Sequence, residues 1–161
     1  MSTICRNALV GFAVGFATPA NAHEYLTSVT SQIYQAQGTK KEIAQRANIC
    51  IAQHLAGGTV DAQLIISQDL DNGIIVARNA TTHGSFPVFK IRSRFTFEAR
   101  EGRFRIDQTA LERFNDTAGG GWGPIGKWWG SQWKSAEAAF TNSATAVAIC
   151  VMKGPTKTDD W

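Results

Sequence analysis

The sequence predicts an α+β domain in which two helices cover the apolar face of an antiparallel sheet. Three observations carry this reading. From position 89 to 98, apolar and charged residues alternate with period two: Phe89, Ile91, Phe95 and Phe97 share one face, while Lys90, Arg92, Arg94 and Glu98 share the other. The pattern returns after a turn at Glu101-Gly102, where Phe104 and Ile106 oppose Arg103, Arg105 and Asp107. On either side of this region, apolar residues recur at three- and four-residue spacing, the period of an amphipathic helix.

The elements follow in order. Residues 26–35 alternate loosely and include Val29, Thr30, Ile33 and Tyr34, which makes them a first strand ended by Gly38. Thr39-Lys40-Lys41-Glu42 has the form of a capping box, so a helix starts there. Ile43, Ala47, Cys50, Ile51 and His54 form its apolar stripe, and Gly57-Gly58 should stop it. Residues 64–67 and 74–77 are β-branched runs joined through Asn72-Gly73, a pair that tolerates positive φ, and they read as a hairpin. A loop over 81–85 leads to Pro87 and the long strand described above. Residues 118–133 form a Gly/Trp-rich loop. A final helix is expected from about Gln132 to Met152, with Phe140, Ala144, Val147 and Cys150 on one side. Thr145, Val147 and Ile149 would also suit a strand. Residues 154–161 form a polar tail. The order is strand, helix, four antiparallel strands, helix, within one domain over 23–153.

The first 22 residues differ from the rest. Arg6 is their only charge, residues 8–17 are an apolar run, and Pro19 precedes the small-x-small site Ala20-Asn21-Ala22. These are the three parts of a signal peptide cleaved after Ala22. As a membrane anchor the run would be too short to cross about 30 Å of hydrocarbon. Cys5 lies before the run, which argues against a lipoprotein. The expected location is periplasmic or extracellular. Without these residues the net charge falls from +3 to +2, too weak alone to imply nucleic acid. Two cysteines remain, Cys50 and Cys150. An even count in an oxidising compartment points to a disulfide, with two separately buried thiols as the alternative. Both lie on inward helical stripes, so one architecture brings them together. Their spacing matches no zinc pattern.

Several of these segments resemble a known family. The run Gly38-Thr39-Lys40-Lys41-Glu42 into a helix is one. The others are the turn at 69–73 followed by Ile74-Ile75-Val76, then Phe95-Thr96-Phe97-Glu98 and Gly102-Arg103-Phe104-Arg105-Ile106. Together they resemble a bacterial secreted family of unknown function with a TATA-binding-protein-like (TBP-like) fold, over roughly residues 28–114. The resemblance implies that fold and supplies no catalytic residues. The Gly/Trp-rich loop and the cysteine pair lie outside it, and the fold name does not carry DNA binding with it.

No nucleophile, base and orienter stand in a recognisable motif. His54, beside a core stripe, reads as a partly buried imidazole, and His83, in a Thr/Gly/Ser loop, as an exposed one. Cleavage after Ala22 would make His23 the mature N-terminus, where its amine and imidazole could chelate copper with His54 or His83; a frayed terminus is the plainer reading. In the 69–73 turn the glycine comes too early for an EF-hand, and hairpin chemistry accounts for it. Gly119 to Gly123 lacks the preceding strand and following helix start that phosphate binding requires.

Two surfaces remain. One is the polar sheet face with Lys90, Arg92, Arg94, Arg103 and Arg105, either solvated or facing an anionic envelope polymer, lipid head group or acidic protein. The other carries Trp122, Trp128, Trp129 and Trp133, either packed as a plug over the core or exposed for contact with a protein, a glycan or a membrane interface. Gly126, Lys127 and Gly130 favour exposure of Trp128 and Trp129. The expectation is an exported, non-enzymatic binding module of the envelope without a cofactor. The alternatives are an envelope enzyme (a hydrolase or an N-terminal-His copper protein) and an accessory subunit of an envelope complex.

Overall fold

The computed structural model describes residues 24–58, 63–116 and 119–154. The expected signal peptide, His23 and the tail beyond Gly154 lie outside the described residues. The elements are β1 (Ser28–Thr30), β2 (Tyr34–Gln35), α1 (Lys40–His54), β3 (Ile65–Asp69), β4 (Ile74–His83), β5 (Phe89–Arg100), β6 (Arg103–Asn115), β7 (Gly121–Pro124) and α2 (Trp133–Lys153). All strand pairs are antiparallel, in the order β1-β6-β5-β4-β3, with β2 and β7 also on β6.

One edge of β6 is closed by three short strands in succession. β2 pairs with Arg103 and Phe104, β1 with residues 107–109, and β7 with residues 112–115. Full pairing removes an exposed edge that would otherwise template association. The expected first strand is therefore two. It breaks at Ser31, whose hydroxyl accepts the Ile106 amide at 2.9 Å while its own amide donates to the Ile106 carbonyl at 2.8 Å. The expected Gly/Trp-rich loop likewise contains a strand, β7.

The capping box forms as expected: the Thr39 amide donates to Glu42 Oε2 at 2.8 Å, and the Glu42 amide donates to Thr39 Oγ1 at 3.3 Å. α1 ends before the glycines, because Leu55 turns to extended backbone at the C-cap. In the β3–β4 hairpin, Gly73 takes a φ of 75° and Asn72 does not take a positive φ; Asp69 instead accepts from the Asn72 amide and side chain. α2 is helical throughout, with Ala136, Phe140, Ala144, Val147, Ala148 and Val151 along its buried side. Cys50 and Cys150 form a disulfide between the helices, with Cα atoms 5.8 Å apart.

Both helices pack on the inner sheet face, but the core has two parts. The larger holds Ile43, Ile51, Ile75, Phe95, Phe97, Phe104, Ile106 and Val147, and the smaller holds Leu26, Ile91, Leu111, Ile125 and Phe140. At the boundary, each central strand turns a polar residue inward: Asn79 on β4, Ser93 on β5 and Gln108 on β6. Gln108 Oε1 accepts from Asn79 Nδ2 at 2.8 Å and from Ser93 Oγ at 2.7 Å, and Gln108 Nε2 donates to the Phe140 carbonyl. Buried polar groups persist only when bonded in this way.

Ser93 also marks a β-bulge. Arg94 pairs with Thr109 and Arg92 with Glu112, so β6 holds an extra residue where Ala110 adopts a φ of 50°. The bulge reverses the alternation beyond it. Leu111 and Arg113 turn inward, while Glu112 and Phe114 turn outward.

Candidate functional site

The outer sheet face carries no helix, and its cations fall into two groups. At one end, Arg105 pairs with Glu98 at 2.8 Å and Asp107 at 3.3 Å, and Arg100 pairs with Glu98 at 3.1 Å. The hydrogen bond from Arg100, then the nearby charge of Arg105, hold the Glu98 carboxyl below the usual range. Arg103 stands beside this group, opposite Arg100. Arg100 and Arg105 are thus paired with carboxylates, whereas Arg103 is in no ion pair among the described residues.

The second group lies four residues further along β5, about 13 Å away. It contains Lys90, Arg92 and Arg94, together with Arg78 from β4, a residue the sequence patterning did not single out. Arg78 and Arg94 are direct cross-strand partners, both exposed. Like charges opposed across a sheet repel. Among the described residues, Arg78, Arg94 and Lys90 form no ion pair, and only Arg92 has a carboxylate, Glu112 Oε2 at 2.6 Å. Arg92 is held from below as well. Its guanidinium carbon sits 4.2 Å from the centre of the Trp122 ring, and that ring packs edge-on against Phe114 at 5.4 Å. Arg78, Arg92, Arg94 and Trp122 line a cleft of roughly 420 Å³ beside Gly57 and Gly58.

The four tryptophans of the second expected surface do not form one site. Trp122 lies on β7 under Arg92, and Trp133 opens α2, with Lys127 Nζ 5.5 Å and Lys134 Nζ 5.6 Å from its ring. Trp128 and Trp129 occupy the loop between them and are 47% and 99% exposed. Gly126 acts differently from expectation. A Cβ there would stand 1.5 Å from the Trp128 ring, so glycine serves by letting the indole lie on the backbone. Tyr25 meets the same ring edge-on at 6.2 Å.

Comparison with solved structures decides the architecture. The crystal structure of a TBP-like protein from Parabacteroides distasonis superposes with a TM-score of 0.62 at 11% identity, covering 79% of this chain and 93% of that one. The fold is TBP-like. A DUF4468 family protein from Bacteroides ovatus gives a TM-score of 0.56 at 11% identity, over 89% of this chain and 95% of its own. No protein-family model and no curated protein matches the chain in sequence.

The histidines exchange their expected environments within this TBP-like fold. His54 is exposed at the end of α1, whereas His83 is only 5% exposed. β4 extends to His83, into the loop expected at 81–85, and the ring stacks on Phe89 with centroids 5.3 Å apart. Neither of its nitrogens has a hydrogen-bond partner among the described residues. Burial, then the charge of Arg113, hold this imidazole below its usual value of 6.5. Arg113 lies 4.9 Å from the centre of the Phe89 ring and donates from Nη1 to the Ser131 carbonyl at 2.8 Å. Among the described residues, no three His, Cys, Asp or Glu side chains converge on a metal position.

Proposed function

We propose that this protein is an exported, non-enzymatic binding module of the bacterial envelope that takes an anionic envelope polymer on the outer face of its TBP-like sheet. The observation that carries the reading is the Arg78–Arg94 pair, opposed in register with no ion pair to either among the described residues. Such an arrangement is unfavourable in the free protein and is relieved when a phosphate or carboxylate bridges the two guanidinium forks. Arg92 adds a third guanidinium on the Trp122 platform. The disulfide and the N-terminal pattern of charge, apolar run and small-residue site support export. Among the described residues no helix is long and apolar enough to cross a membrane, which is compatible with that location.

The test is retention on phosphocellulose across a salt gradient. The variant R78Q/R94Q should elute at clearly lower salt than R103Q/K153Q, which removes the same charge elsewhere. Both variants should melt like the parent, because exposed charges contribute little to stability. Equal shifts for the two variants would reduce the face to bulk charge and refute the assignment.

A further inference from the structure

Two loops meet at the end of the molecule where β4 and β5 begin and end their pairing. One, residues 84–88, carries Phe86 and Val88, which are 95% and 58% exposed. The other, between β7 and α2, carries Trp128 and Trp129. Their bases lie close together: a Cβ added at Gly84 would stand 3.2 Å from Gln132 Oε1. Arg113 joins them from beneath through its contact with Phe89 and its hydrogen bond to Ser131. The second loop closes on itself, with Ser131 donating from its amide and hydroxyl to the Trp128 carbonyl at 3.2 and 2.7 Å. Each loop thus carries one almost fully exposed aromatic ring, Phe86 on the first and Trp129 on the second.

We infer that this end is a membrane-contact surface, inserting Phe86 and Trp129 into the interfacial layer of a bilayer containing anionic lipid. Scattered exposed apolar residues are ordinary, whereas Phe86, Val88, Trp128 and Trp129 are exposed together on two loops linked through Arg113. Tryptophan and phenylalanine suit the boundary between head groups and acyl chains. Charge selects this partner over others. Residues 84–88 and 126–132 contain no acidic side chain. Glu24, whose carbonyl accepts from the Lys127 amide, has its carboxylate paired with Lys127 Nζ at 2.8 Å. Lys90 and Lys134 flank the tips without an ion pair among the described residues, complementing an anionic leaflet.

The test is co-sedimentation of the protein expressed from the full-length sequence with vesicles of phosphatidylethanolamine and phosphatidylglycerol. The parent should sediment, with a blue shift of its tryptophan emission, and should bind pure phosphatidylcholine vesicles less well. The variant F86S/W129S should bind about tenfold or more weakly, with an unchanged melting curve and unchanged retention on phosphocellulose. R78Q/R94Q should keep most of its vesicle binding, which separates this surface from the anion face. The inference is overturned if the parent does not sediment. It is overturned equally if F86S/W129S binds as the parent does, since another segment would then be the anchor. Concentration-dependent self-association abolished by F86S/W129S, without vesicle binding, would make a second copy the occupant and also overturn it.

Discussion

Replacing Gln108 with leucine removes the centre of the polar belt while keeping the side-chain volume nearly constant. Gln108 is fully buried and accepts from Asn79 and Ser93 through one oxygen. In the variant the Ser93 hydroxyl and one Asn79 N–H lose their acceptor. Asn79 keeps its second bond, to Ser143 Oγ at 2.7 Å, and the Phe140 carbonyl keeps the Ser143 hydroxyl at 2.9 Å. Two stranded donors cost about 1–3 kcal/mol each. The leucine returns about 1–2 kcal/mol of apolar burial, leaving a loss of about 3 kcal/mol. In a domain of this size that lowers the melting temperature by roughly 10 °C. Urea denaturation followed by circular dichroism measures it, with the slope expected to stay constant. The triple variant N79L/S93A/Q108L should recover most of the loss, because removing all the partners together leaves no donor stranded. A neutral or stabilising Q108L, or a triple variant worse than the single, would refute the satisfied-network account.

Two further outcomes concern the disulfide and the buried imidazole. Mass spectrometry of the oxidised protein should find no free thiol at Cys50 or Cys150, and C50A/C150A should lose up to about 4.7 kcal/mol, the chain-entropy value for a loop of this length. Because His83 titrates below its usual value in the folded state, protons bind the unfolded chain preferentially, and its contribution is intact above about pH 6.5 and lost as the pH falls below that. The difference in stability between the parent and H83F should therefore change between about pH 7.5 and 5 and be flat above that range; a constant difference would show that His83 does not couple to folding.

Elements specified by short-range chemistry were legible in the sequence. Thr39 and Glu42 are three residues apart and meet regardless of the rest of the fold. Alternation on β5 needs one buried face, and the cysteine pairing followed from two amphipathic stripes. Features that depend on a partner were not legible. Gly121-Trp122-Gly123-Pro124 has poor intrinsic strand preference and is extended because the end of β6 offers an unpaired edge. Ser31 interrupts a strand only because its hydroxyl lies beside the Ile106 amide. Asn79 and Gln108 look like solvent-facing residues until their neighbours show that they face each other inside. Arg78 carries no patterning signal because the β-branched run ends at Ala77, although extending the hairpin by one residue places it opposite Arg94.

The bulge at Ala110 connects the two surfaces proposed here. Strict alternation along β6 from Phe104, Ile106 and Gln108 would carry residue 112 inward and residue 113 outward. Glu112 would then be a buried carboxylate beneath Ile91, Arg92 would lose its pairing partner, and Arg113 would leave the Ser131 carbonyl. One additional residue reverses all three. It turns Glu112 outward to Arg92 at 2.6 Å and Phe114 outward to the Trp122 ring on which Arg92 lies. It turns Arg113 inward, beneath the bases of both aromatic-tipped loops. Ala110 holds a left-handed conformation that costs an alanine about 1 kcal/mol. The cost is offset by the buried carboxylate avoided and by the hydrogen bond that half-buried Arg113 donates to the Ser131 carbonyl. A local backbone irregularity that the residue pattern does not announce thus sets both the anion face and the presentation of the loop tips.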